Sequence, residues 1–353
     1  MNISSSVTPK QLFDLLLNIS PVRPVFIWGA PGIGKSSLVE KFADTVGMPC
    51  VSLLGSQLAP EDLIGVPQII DDCSRFCPPK MIARDEPYCL FLDELNACSQ
   101  EVQKAFYSLI NDRRIGEYHM PKGSIVIGAG NRSTDSAIVK TMSSALINRM
   151  LHVQLKTSHR EWLEWAAENC IHPYILEYIK MRPDHLFAAP PKTEEPFSTP
   201  RSWHILSDSL NEYGENLTPE IVEMLSLGCL SSHHATQFKA FIKQIKNQYK
   251  LTAIISGDEN WPNKPEDRDV LYFLAQSLRS QLIKELPSTK ENVGENNKWL
   301  SHRAKALIKD LSQISFEIAQ MMVSKNNEDS GLPDWFMVEI VRDLPRLVEK
   351  KNE

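Results

Sequence analysis

Short apolar runs alternate with amphipathic stretches through the first half of the chain, and the two periods predict different elements. Residues 25–28 (VFIW), 50–54 (CVSLL), 88–92 (YCLFL), 124–129 (SIVIGA) and 151–155 (LHVQL) are short and largely apolar, which predicts strands. Residues 37–43 and 100–111 carry helical spacing. Thr8 followed by Pro9 reads as a helix start, N-cap then N1, ahead of the apolar positions in 12–19. This alternation predicts an α/β core with a parallel sheet covered on both faces.

Two regions depart from that rhythm. Residues 55–87 are long for one connection and place Gly65, Pro67, Pro78 and Pro79 around the apolar run 66–70. A structureless loop of that length is uncommon inside a compact domain, so the stretch reads as a functional insertion, a small hairpin set into a helix, in preference to a decorative loop. Beyond residue 231, Leu300, Ala304, Leu307, Leu311, Ile314, Ile318 and Met321 repeat at alternating spacings of four and three. That stripe predicts one long helix packed within a C-terminal helical extension, ahead of a partner-binding coiled coil. Residues 258–269 (DENWPNKPEDRD) read as a linker or exposed loop before a helix over 270–286.

The candidate chemistry lies at the strand ends. Residues 29–36 read GAPGIGKS between a predicted strand and a predicted helix. Gly29, Gly32 and Gly34 leave room for backbone N–H groups to turn toward a β-phosphate, and the helix N-terminus adds partial positive charge. Ala30, Pro31, Ile33 and Ser37 complete the loop and its exit. Lys35 would bridge the β- and γ-phosphates, and the Ser36 hydroxyl would ligate Mg²⁺. Residues 88–96 (YCLFLDELN) bring Asp93 and Glu94 to the carboxyl end of a buried strand, where open α/β sheets bind ligands. Asp93 is then a direct or outer partner of Mg²⁺, and Glu94 the group that polarises the attacking water. In residues 128–135 (GAGNRSTD), Asn131 follows the fourth strand, where its amide would orient that water and contact the γ-phosphate. Arginines in ALINRM (145–150) and STPRSW (198–203) have no explanation in helix amphipathicity.

The set GAPGIGKS, FLDELN, GAGNR, LINRM and STPRSW, in this order, resembles an AAA+ ATPase of the MoxR group, within the clade that carries an insertion in its second helix. The resemblance spans roughly residues 8–230 and implies an AAA+ P-loop NTPase core with a five-stranded parallel sheet over residues 1–157. It implies an α-helical lid over 158–250, leaving 251–353 as a helical extension beyond the compact members of the group. Residues 55–87 then hold the helix insertion, and RRIGEYHMPKG (113–123) resembles the hairpin that precedes the first sensor. By the same resemblance Asn131 is sensor 1, Arg149 the arginine finger and Arg201 sensor 2, with Arg132 a rival of Arg149 for the interface role. The implied ligands are ATP and Mg²⁺. The implied assembly is a homo-oligomeric ring, hexameric, acting on a protein client beside a partner with a von Willebrand factor A domain. Restriction-linked nucleic-acid motors of the same clade are the alternative, although they carry MNTAD-like sensor sequences where this chain has GNRSTD.

Composition changes the picture little. At 353 residues the chain has room for a large core and a second domain. No run approaches the ~18 apolar residues of a membrane span, and the start of the chain reads as neither a signal peptide nor a span. Seven scattered cysteines suit a reducing cytoplasm, and neither the pair in CSRFC (73–77) nor the doublet His233–His234, read as a surface feature, makes a metal set. A formal net charge of −6 leans away from nonspecific nucleic-acid binding.

Overall fold

The computed structural model of the chain describes residues 5–70, 72–132, 142–246, 249–324 and 331–343. Two compact units result. The first is built from the described residues up to Trp165 with Phe187–Glu194 and Thr199–Ser202, the second from Ala166–Leu186, Glu195–Ser198 and the described residues from Trp203 onward.

In chain order the first unit holds β1 (Ser6–Val7), α1 (Pro9–Ile19), β2 (Val25–Trp28), α2 (Lys35–Thr45), β3 (Cys50–Leu54) and α3 (Glu61–Ile64). There follow β4 (Val66–Ile70), β5 (Cys73–Cys77), β6 (Cys89–Asp93), α4 (Gln100–Asn111), β7 (Arg114–Ile115), β8 (Tyr118–His119), β9 (Ile125–Gly130), α5 (Ser144–Ile147), β10 (Leu151–Leu155) and the start of α6 (His159–Glu168). One sheet has the order β1-β10-β2-β9-β6-β3 and is parallel throughout. The five strands read from the sequence are present, and the two-residue β1 adds a sixth at the edge. It is too short to leave a period in the sequence.

Both faces of the sheet are covered, which is why its central strands are continuous apolar runs. Val25, Ile27, Cys89, Phe91, Ile127 and Ala129 join α1 and α2 in one cluster, while Phe26, Leu90, Leu92 and Val126 join α4 in another. The Thr8 side chain accepts from Gln11 N–H and Gln11 returns a bond to Thr8 N–H, so α1 opens on a capping box. The insertion forms the antiparallel hairpin β4–β5, preceded by the four-residue α3 rather than set into a long helix. Strands β7 and β8 make a second hairpin. The two hairpins meet: a side chain at Gly116 would touch Phe76, and Arg75 lies 3.9 Å from Glu117.

The second unit is helical: the remainder of α6, α7 (Pro173–Met181), α8 (Pro200–Tyr213, from Trp203 onward), α9 (Pro219–Cys229), α10 (Ser232–Lys246), α11 (Leu251–Ser256), α12 (Arg268–Glu285), α13 (Glu295–Ile314), α14 (Phe316–Val323) and α15 (Asp334–Asp343). Helices α11 to α15 share one core, which includes Ile254, Leu274, Leu278, Leu311, Met322 and Phe336. The predicted single long helix is two helices. Ser315, extended at φ −148°, ends α13 and caps α14 by accepting from Ile318 N–H. The break rotates the stripe, so Ile314 and Met321 are 40% and 51% exposed while Leu300, Ala304, Leu307, Leu311 and Ile318 stay buried. The predicted exposed loop 258–269 is also corrected in part, because Trp261 and Asp267 are buried and Trp261 Nε1–H donates to Leu307 O at 3.1 Å.

The doublet His233–His234 divides: His233 stays exposed, as read from the sequence, whereas His234 belongs to the interior of this unit. His234 is buried, stacks on His185 with ring centroids 4.0 Å apart, and shares a 2.8 Å hydrogen bond with Ser198 Oγ. Arg182 donates to Asp184 and to His185 Nε2, so the His185 proton sits on Nδ1 and faces Tyr178 Oη at 2.6 Å. Burial holds His185 well below the usual histidine range, with Arg182 and the neighbouring rings adding to it. Burial likewise pushes His234 down to about 4.

A histidine that titrates lower when folded stabilises the fold above its unfolded pKa, and that stability is lost as pH falls through the folded value. Acidification from pH 7 to pH 5 should therefore lower the unfolding free energy by about 2 kcal/mol through His234 alone, with His185 acting in the same direction. Urea titrations at the two pH values read this directly, and His234→Gln should reduce the difference.

Candidate nucleotide-binding site

Strand β2 delivers the chain to its carboxyl edge at Trp28, and the glycine-rich loop turns there into α2. Gly29 N–H donates to Gly130 O at 3.2 Å, which ties the start of the loop to the end of β9. Gly32 and Gly34 have φ of +75° and +91°, in the left-handed region that a side chain disfavours. Gly34 is the N-cap of α2, and no side chain caps that helix, so its first amides are available to an anion. Thr199 closes one side of the loop: a β-carbon on Gly32 would stand 2.6 Å from Thr199 Oγ1, and Arg201 N–H donates to Gly32 O at 3.1 Å.

Because β2, β9 and β6 are parallel neighbours, their carboxyl ends gather at one edge of the sheet. Lys35, only 8% exposed, sends its ammonium to Gly29 O and Ala30 O at 2.9 Å and to Asn131 Oδ1 at 2.8 Å. Ser36 Oγ donates to Asp93 Oδ2 at 2.6 Å. Glu94 N–H donates to Asp93 Oδ1 at 2.9 Å. Glu94 itself has φ +53° and ψ +33°, a left-handed backbone that is uncommon for a residue with a side chain. Its carboxylate accepts a hydrogen bond from the Ser56 hydroxyl, at the end of the β3 side of the sheet. The structure thus brings Lys35, Ser36, Asp93, Glu94 and Asn131 together.

The other predicted residues stand differently. Ala30 and Ile33 are buried in the core cluster beneath the loop, Pro31 is half-buried, and Ser37 is exposed on α2. Arg149 lies apart from the Lys35 network. Its guanidinium covers the Tyr107 ring at 4.3 Å, with Nε donating to Asn111 Oδ1 at 2.8 Å and another nitrogen to Ala145 O at 2.9 Å. The Arg201 side chain is exposed, while its backbone joins the loop. Arg132 is half-buried directly after Asn131, and residues 133–135 of the GAGNRSTD stretch lie outside the described residues.

Three contributors escape the sequence reading. Asn96, nearly fully buried, donates from Nδ2 to Asn131 O at 2.7 Å and so steadies the residue that holds Lys35. Ser56 holds Glu94, and Thr199 abuts the loop. Asn96 and Thr199 each stand inside a motif quoted for other residues, which was the available signal.

The loop conformation, the uncapped N-terminus of α2 and the buried ammonium fit a polyphosphate, and a hydroxyl beside a carboxylate fits a hard divalent cation such as Mg²⁺. Comparison with known proteins agrees. Residues 24–150 match the model of the AAA domain, dynein-related subfamily. Midasin of Giardia intestinalis is 30% identical over 169 residues, which are 44% of this chain and 4% of midasin. A 26S proteasome regulatory subunit 6B homolog of Aspergillus niger is 28% identical over 138 residues, 35% of this chain and 31% of that protein. The chain therefore spans less than a third of the length of either relative. Among solved structures, the RuvB Holliday junction branch migration motor of Thermotoga maritima aligns over 70% of this chain and 80% of that one, at 19% identity and a TM-score of 0.41. Residues 24–150, which match that domain model, have the parallel sheet and phosphate loop of the AAA+ P-loop NTPase fold.

Gly32→Ala combines a left-handed backbone with a collision against Thr199. It should weaken ATP binding about tenfold or more, read by anisotropy of a fluorescent nucleotide.

Proposed function

We propose that this chain hydrolyses ATP with Mg²⁺ as a subunit of a cytoplasmic homo-oligomeric ring, hexameric and of the MoxR group. In this reading, turnover remodels or activates a protein client together with a von Willebrand factor A domain partner. The observation that carries the hydrolytic part is the hydrogen-bonded set of Lys35 with Asn131 and Ser36 with Asp93, with Glu94 beside it.

Each residue has a chemical task in this reading. The backbone of residues 29–37 and the Lys35 ammonium bind the phosphates, and Ser36 and Asp93 hold Mg²⁺. When bound, the ion neutralises charge on the phosphate oxygens. Glu94 takes the proton of the attacking water, and the Ser56 hydroxyl, which bonds one carboxylate oxygen, leaves the other to accept it. Asn131 orients that water. Arg201 contacts phosphate in its own chain and couples nucleotide state to the lid, residues 158–250. Arg149 completes the site of a neighbouring subunit, and its attachment to α4, away from the Lys35 network, supports a role in trans. The paired hairpins support a protein client, since Val66, Ile69 and Phe76 are exposed and Ile69 is 84% so. Among the described residues no helix is long and apolar enough to cross a membrane.

Glu94→Gln should retain ATP affinity and lose turnover by at least about 100-fold, because it removes the base and leaves the phosphate contacts. Specific activity of the unaltered chain should fall steeply on dilution, and Arg149→Ala subunits mixed with Glu94→Gln subunits should regain turnover that neither has alone. Activity independent of concentration down to a monomer contradicts the ring. Stimulation by DNA or RNA that disappears at high salt would replace the client reading with a nucleic-acid motor.

A further inference from the structure

His152 connects two parts of the first unit that the nucleotide chemistry uses separately. It stands on β10 in register with Phe26 of β2, and its ring lies edge to edge with Trp28, centroids 6.1 Å apart and planes at 25°, with Phe26 against both. Trp28 Nε1–H donates to His152 Nδ1 at 3.0 Å, and His152 Nε2 lies 2.8 Å from Ile147 O. An indole nitrogen only donates, so Nδ1 accepts and the ring proton sits on Nε2, from which it bonds Ile147 O. Trp28 therefore selects the tautomer that can reach Ile147.

The positions of those partners give the link its meaning. Trp28 directly precedes Gly29, the first residue of the phosphate-binding loop. Ile147 is the last residue of α5, and Arg149 follows two positions later. A four-residue helix cannot hold its own shape and depends on anchors. Ser143 caps it internally, Ser143 N–H bonds Gln103 Oε1 at 3.2 Å, and Arg149 bonds Ala145 O and Asn111. These anchors lie in α5 itself or on α4. The His152 bond comes instead from the sheet, beside the strand that leads into the loop.

We infer that His152 is a positioning residue for Arg149: its bond to Ile147 O ties the segment carrying that arginine to the strand that delivers the phosphate-binding loop of the same subunit. This rests on the reading of Arg149 as the residue that completes a neighbour's site. It gives each subunit a direct mechanical connection between the nucleotide it binds and the arginine it lends.

Two substitutions separate the two bonds. Asn at 152 can place an acceptor at the Nδ1 position for Trp28 and is too short to reach Ile147 O, whereas Gln can donate to Ile147 O from the Nε2 position and has no atom at the Nδ1 position that accepts from Trp28. His152→Asn should lower kcat for ATP about tenfold with KM changed less than about twofold, and His152→Gln should recover most of the loss. Single-turnover rates of Arg149→Ala and of Arg149→Ala/His152→Asn should be equal, since His152 acts through Arg149. The inference is overturned if the two losses multiply, if Gln is as impaired as Asn, or if KM carries the change. In mixed rings, His152→Asn placed in the Glu94→Gln subunit should lower the regained turnover, and placed in the Arg149→Ala subunit should leave it unchanged. An equal effect in both positions also overturns it. Absence of any regained turnover instead removes the trans role of Arg149, while the double-substitution comparison still decides whether His152 acts through that arginine.

Discussion

An ammonium group withdrawn from water must find acceptors for its protons, and the arrangement of the nucleotide-binding edge follows from how Lys35 finds them. Two are carbonyls of its own loop and the third is the amide oxygen of Asn131, just past the end of the neighbouring strand β9. An unpaired charge at that depth would cost several kcal/mol, and the acceptor at the end of β9, beside β2, reduces that cost. Asn131 is in turn steadied by Asn96, in the turn that follows β6, and Asp93 ends that strand with Glu94 directly after it. One buried cation and its partners thereby link three strand ends. The sheet order, with β9 between β2 and β6, is the topology that meets this requirement.

Much of this was legible in the chain because burial on both faces leaves a strong mark. The central strands are apolar at consecutive positions, and β2, β3 and β10 fall within the residues the pattern assigned. Helix α4 has the bounds its spacing gives, and α1 starts at the Thr8–Pro9 signal. The catalytic candidates could be read for a related reason: they sit on strand ends and a loop, where chemistry leaves residue types that packing alone does not explain.

What the chain hid depends on tertiary register. Ser56 and Glu94 are 38 positions apart, and Trp28 and His152 are 124 apart; neither pair shares a local period. The histidine at 234 looks like an exposed polar residue until the ring of His185 and the Ser198 hydroxyl cover it. Ser315 interrupts a heptad stripe without a proline or glycine to announce the break: its backbone N–H closes the last turn of α13 on Leu311 O, and its hydroxyl begins α14. A repeat of fours and threes records which residues are apolar, not whether the backbone beneath them is continuous.

The left-handed backbone at Glu94 bears on how this chain could change over time. A glycine there would relieve the conformation and remove the carboxylate in a single step. Drift toward greater thermal robustness and drift toward an inert scaffold therefore run through the same codon. A descendant that had lost its chemistry but kept its architecture would carry the trace at position 94 first, with the loop around Lys35 still intact.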